Sequence, residues 1–166
     1  MIDSILNTIT KNNVPEFVYH GSPKKNIKTL KPYPSEVMDG EEVVFAGDLW
    51  VAVSCIRFWN DTDITQGTHS FSHSVVSHFN KVNLFAKHGK QGDRPYLEER
   101  YKGAFSHVFN GGGYVYKLSS KTFSRDKRIG NYEYISREPV STISAEYIAD
   151  PLKKLKELNV DLNYYR

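Results

Sequence analysis

Short runs of β-forming residues separated by polar turns dominate the chain. "EFVYH", "EEVVFAG", "NYEYIS" and "VSTISAEYI" each read as a strand. "GGGYVYKLSS" is a glycine turn, of the hairpin kind, into a strand with Tyr114, Tyr116 and Leu118 on one face. Helical spacing is confined to three places. Ile2, Ile5, Leu6 and Ile9 predict a short amphipathic helix, which with its linker occupies residues 1–14 before Pro15. "LWVAVSCIRFW" is apolar nearly all round and follows Asp48, a good N-cap, so it predicts a buried helix; its β-branched residues leave a strand as the alternative. Asp150-Pro151 caps and opens "LKKLKEL", a basic helix within 150–160.

The remaining segments are less regular. "SPKKNIKTLKPYPSE" predicts a turn or short strand and then a Pro-rich loop, and "NDTDITQG" a loop. From Thr68 to Lys102 the periodicity is mixed, and "AKHGKQGDRPYLEERYKGA" reads as solvated loop with at most one helical turn. Strands outnumber helices, which predicts an α+β chain: a mostly antiparallel β core with short flanking helices. At 166 residues it is expected to be one domain, 1–166, and it has no internal repeat.

Composition narrows the class. Hydrophobic residues at 39% and aromatics at 13% are enough for a packed core and too many for a disordered chain. The net charge of +3 is mild and falls short of the strong basic stripe of a dedicated nucleic-acid binder. Cys55 is the one cysteine, so no disulfide forms within the chain and no Cys-rich zinc site exists; a reducing, cytoplasmic setting is expected. "MIDSILNTIT" lacks the basic start and long apolar run of a signal peptide, and no apolar run is long enough to span a membrane.

Three pieces follow one another in a suggestive order: a strand ending in His20-Gly21-Ser22, a strand ending in Phe45-Ala46-Gly47 before a buried helix, and "YEYIS" with Glu133 between aromatics. This order resembles the ADP-ribosyltransferase fold in its histidine-first branch, the diphtheria-toxin and poly(ADP-ribose)-polymerase type. "YHGS" and "EYIS" followed by "PV" carry the resemblance, which runs from about Val18 to Ile148.

The resemblance implies a split, mostly antiparallel β core and NAD as substrate, without a metal. The bond between nicotinamide and ribose would break through an oxocarbenium-like transition state. Glu133 would bind the ribose 2′-hydroxyl and stabilise the developing positive charge. His20 would orient a ribose hydroxyl, Gly21 would let the backbone approach the nicotinamide carboxamide, Ser22 would add a hydroxyl contact, and an aromatic ring would stack on the nicotinamide. Since both act on one dinucleotide, His20 and Glu133 are expected on neighbouring strands facing one cleft. The implied activity is a mono-ADP-ribosyltransferase-like transfer of ADP-ribose to a macromolecular acceptor, protein or nucleic acid, or hydrolysis of NAD. The alternative is a catalytically inactive module of the same fold that binds a nucleotide, ADP-ribose or nucleic acid.

The chain departs from the family pattern at its middle motif. The family's tyrosine maps onto Phe45, which can stack but cannot donate a hydrogen bond. Glu138 competes with Glu133 for the acid role, but it precedes Pro139 and reads as loop. The chain shows no pair of acids one residue apart before that strand ends and no arginine at the first position, so the arginine-first branch does not fit. Arg57 and Arg94 are candidates for the paired arginines of the tRNA 2′-phosphotransferase relatives.

Other clusters have plainer readings. Asp61, Asp63 and Gly67 lack the terminal Glu of a calcium loop. His69, His73 and His78 sit among serines without a suitably spaced carboxylate, which predicts a polar surface. Cys55 reads as a buried small hydrophobe, and Lys153, Lys154 and Lys156 as a solvated helix face.

Overall fold

A computed structural model describes residues 13–56, 86–92, 94–99 and 102–166. The expected helix of residues 1–14, Arg57, the Asp61–Gly67 loop and the three histidines 69, 73 and 78 lie, wholly or for the most part, outside the described residues.

The fold is α+β and its strand pairing is mostly antiparallel. The main sheet has the order β2 (Thr29–Leu30), β10 (Val140–Ile148), β7 (Gly113–Ser119), β1 (Phe17–Ser22), β4 (Glu42–Gly47), β9 (Glu133–Ser136), β8 (Phe123–Ser124), with β3 (Tyr33–Pro34) added on β4. Every pairing in this sheet is antiparallel. β1 and β7 pair along the whole of β1, Phe17 to Ser22 against Ser119 to Tyr114. By contrast β1 and β4 register only at Tyr19↔Gly47, so the two strands part on either side of that point.

Both faces of the sheet are covered, because alternate side chains of the central strands are apolar. One face carries Val18, Ala46, Tyr116, Leu118, Phe123 and Tyr134 in a buried cluster. The other is covered by α1 (Leu49–Cys55), whose Trp50, Val51, Ala52 and Val53 are buried with Val115, Ile148 and Leu155. Burying each such large side chain contributes about 1.5–3 kcal/mol. The expected helix after Asp48 therefore forms, and its all-round apolar pattern reflects burial. Asp48 occupies the N-cap but does not cap; its Oδ1 accepts the Tyr134 hydroxyl at 2.8 Å instead. α3 (Pro151–Glu157) begins as expected, with the Asp150 carboxylate accepting the Lys153 N–H at 3.1 Å and Pro151 in the first turn.

Four features depart from the sequence reading. The supposed solvated loop after residue 85 is a hairpin, β5 (Ala86–Gln91) and β6 (Arg94–Glu99), turning at Gly92 with φ +64°. Gly92-Asp93 was a usable turn signal, but the polar character of the flanking residues masked it. β11 (Asp161–Asn163) joins β6 in parallel, and α2 (Ala104–Val108) starts without a side-chain cap of its own. The buried Glu99 supplies one: Oε1 accepts the Phe105 N–H and Oε2 the Tyr165 N–H, both at 2.9 Å. Such distant partners leave no periodic trace in sequence. The Gly111–Gly113 turn joins α2 to β7 and so is not a hairpin turn.

Candidate functional site

The pairing Tyr19↔Gly47 and Gly47↔Glu133 places residues of β1, β4 and β9 in one cross-strand row. Strand spacing puts Tyr19 and Glu133 about 10 Å apart at their Cα atoms. Residues separated by more than a hundred positions thus meet where β1 and β4 part, and His20 is the next residue along β1.

His20 spans that parting. Its Nδ1–H donates to the Phe45 carbonyl at 2.8 Å, closing a gap that the strand ladder leaves open. The carbonyl can only accept, so the proton sits on Nδ1 and Nε2 carries the lone pair. Among the described residues Nε2 has no partner. Burial pushes the His20 pKa below its ordinary value, and the bond to Phe45 opposes that shift in smaller measure. The ring is therefore neutral at pH 7 and can accept a hydrogen bond from a hydroxyl.

Glu133 opens β9 and is half-buried. One carboxylate oxygen, Oε2, accepts the Gly130 N–H at 3.0 Å, and Oε1 has no partner among the described residues. Phe45↔Ile135 is the next row on the same face, so Phe45 and Glu133 share the side of the sheet that α1 covers. Cys55, at the end of α1, feels the Glu133 charge: burial first, then that charge, push its thiol up to about 12. Glu138 lies in the turn between β9 and β10; its backbone N–H donates to the Ser136 hydroxyl at 3.2 Å and its carbonyl accepts from it at 2.9 Å. The strand ends at Ser136, so the five steps from Glu133 to Glu138 span less than the about 16 Å of a fully extended chain.

The expected adjacency of His20 and Glu133 is not met. β4 stands between their strands, and the row containing His20 is His20↔Tyr116, one step from the Tyr19 row. Alternation then makes their Cβ atoms leave opposite faces of the sheet. The imidazole reaches sideways to β4 through its bond to the Phe45 carbonyl, and Glu133 opens the strand on the far side of β4.

Three other expected site residues have structural work to do. A Cβ on Gly21 would collide with the Ala52 carbonyl oxygen, so α1 packing demands glycine there. The Ser22 hydroxyl is buried and accepts the Lys24 N–H at 3.1 Å, which shapes the turn after β1. The Phe45 ring packs on the cluster of Met38, Val43 and Ile135 but stays half-buried. Arg94 is paired with Asp161 at 2.7 Å on the surface. Among the described residues no group of three His, Cys, Asp or Glu side chains is placed to hold a metal.

The sequence reading missed Tyr19, Gly130 and the Cys55–Glu133 relation. Tyr19 and Cys55 have no local signal, because strand pairing places Tyr19 in the Glu133 row and helix packing on the sheet brings Cys55 within reach of its charge. Gly130, three residues before Glu133, could have been read as a turn that folds the carboxylate back. No described helix is long and apolar enough to cross a membrane. Comparison with known proteins finds no matching family model, no matching curated protein and no matching solved structure.

Proposed function

We propose that the seam between β1 and β4 is an NAD site of ADP-ribosyltransferase type. The chain would cleave the nicotinamide–ribose bond and pass ADP-ribose to a macromolecular acceptor or to water. One observation carries this reading: two hydrogen-bond acceptors without protein partners among the described residues, His20 Nε2 and Glu133 Oε1, belong to the two strands on either side of β4, one step apart in register. A ribose offers hydroxyl donors to such a pair.

The chemistry follows from the groups. Neutral His20 accepts a ribose hydroxyl and fixes the dinucleotide. Glu133 accepts the 2′-hydroxyl of the nicotinamide ribose and opposes the positive charge that grows as the C1′–N bond breaks. The bonding electrons leave with neutral nicotinamide. An acceptor hydroxyl, amine or water then bonds to C1′ and releases a proton. Phe45, half-buried beside Glu133, offers a ring edge or face to the nicotinamide.

A second reading is binding of the dinucleotide or ADP-ribose without turnover. The opposite faces from which His20 and Glu133 leave the sheet favour it, as does Gly21, whose glycine α1 packing already explains. Incubation with NAD and chromatography for free nicotinamide decides between them. Release supports the transferase or hydrolase; saturable NAD binding by calorimetry without release supports the binder. Absence of binding removes both.

A further inference from the structure

The segment leaving the His20 strand carries Lys24, Lys25, Lys28 and Lys31, all exposed. Between residues 13 and 35 the one acid is Glu16. The ion pairs among the described residues use Arg94, Arg128, Arg137 and Lys154, and none of these four lysines. A chain of net charge +3 therefore concentrates four uncompensated charges within eight residues, at most about 28 Å of chain.

This segment is held in place. The Ser22 hydroxyl accepts the Lys24 N–H, and the Tyr116 hydroxyl donates to the Lys24 carbonyl while accepting the Ile27 N–H at 3.2 Å. Thr142 Oγ1 donates to the Ile27 carbonyl at 2.9 Å, and the Thr142 N–H donates to the Lys28 carbonyl, also at 2.9 Å. β2 is then pinned to β10 through Leu30↔Val140. Asn26, at φ +60°, makes the bend. The lysine Cα atoms are thus fixed before any ligand arrives, and only side-chain entropy remains to be lost on binding.

We propose that these lysines form a cationic ridge, along the crossing from β1 to the edge strand β2, that holds the phosphate backbone of a single-stranded nucleic acid. Lysines present point charges that follow phosphates without reading bases. Four of them outnumber the two phosphates of one dinucleotide. The apolar residues of the strip, Ile27 and Leu30, face inward, which leaves nothing to enter a lipid surface. The use of this strand as the ADP-ribose acceptor rests on the function proposed above; its binding does not.

Fluorescence anisotropy with labelled single-stranded DNA and RNA oligonucleotides, without NAD, tests the ridge. The dissociation constant is expected at about 10⁻⁴–10⁻⁶ M near physiological salt, with log K falling against log salt at a slope of about −2 to −3. Changing Lys24, Lys25, Lys28 and Lys31 together to Gln should weaken binding at least about tenfold and flatten that slope, by about 0.7 for each lost contact. Lys153→Gln with Lys156→Gln, on α3, should change neither. Should the fourfold variant fail to fold by circular dichroism, Lys25→Gln and Lys28→Gln singly must still each flatten the slope. Failure to bind either oligonucleotide at about 50 mM salt overturns the proposal, as do unchanged slopes in the variants or binding only to phosphatidylserine vesicles. A variant effect on NAD saturation alone assigns the lysines to the dinucleotide and overturns it too. Oligonucleotide binding by a protein that releases no nicotinamide leaves the ridge standing and removes the transferase.

Discussion

The His20 imidazole donates from Nδ1 to the Phe45 carbonyl at 2.8 Å, across the gap where β1 and β4 stop pairing. A side chain replaces a ladder hydrogen bond, and by doing so it fixes its own tautomer. Burial keeps this ring below its ordinary pKa. As pH falls below about 6.5, the ordinary histidine value, the unfolded chain takes up a proton that the folded chain resists. Stability from this group is therefore intact above that pH and declines below it. Urea midpoints measured from pH 7.5 to 5 should fall more steeply for the parent protein than for His20→Gln. Parallel curves would place the imidazole in solvent. The same experiment with NAD present should show affinity falling over the acid range, because protonated Nε2 no longer accepts a hydroxyl.

Glu133 and Glu138 separate by their chemistry as well as by their position. Glu133→Gln keeps shape and a hydrogen-bonding oxygen but removes the charge that an oxocarbenium ion needs. Nicotinamide release should drop about a hundredfold or more, with NAD affinity nearly unchanged. Glu138→Gln, in the turn after β9, should leave release within about twofold, as surface changes remote from the reacting centre do. Reversed effects in single-turnover assays would move the acid to the turn.

Gly21→Ala tests packing apart from ligand binding. The added Cβ meets the Ala52 carbonyl, a backbone atom of a buried helix that has no free rotamer to yield. A loss of about 1–3 kcal/mol is expected from overpacking of this kind. Chemical denaturation measures it, and a loss of NAD affinity with unchanged stability would instead make Gly21 a ligand contact only.

Cys55 should be inert. Burial first and the Glu133 charge second push its thiol up to about 12. Because the folded value is the raised one, its contribution to stability is complete below the ordinary thiol range and is lost as pH climbs toward that value. At pH 8 an aromatic disulfide reagent should label the folded protein far more slowly than the urea-unfolded chain. Glu133→Gln should quicken labelling somewhat, by removing a repelling charge; equal rates in folded and unfolded protein would contradict the half-buried placement of the thiol against the sheet.

The order of local elements was legible in the sequence where periodicity was strong. β1, β4, β7, β9, β10, the buried helix after Asp48 and the capped helix at Asp150 all follow from alternation, apolar runs and capping residues. These signals are local, because one strand or helix turn must satisfy its own backbone and bury its own face. The β5–β6 hairpin and β11 were hidden, since polar strands at the margin of a fold carry little alternation. Sequence also brought out His20, Phe45 and Glu133 as chemically marked residues. It could not say that β4 would lie between the other two strands. Nor could it say that pleating would send His20 and Glu133 to opposite faces, or that the imidazole would turn sideways to bond the Phe45 carbonyl on β4. Those outcomes depend on strand order and register. Both are set by how distant apolar faces close on each other, and a one-residue slip in register would exchange the faces of every side chain on the strand.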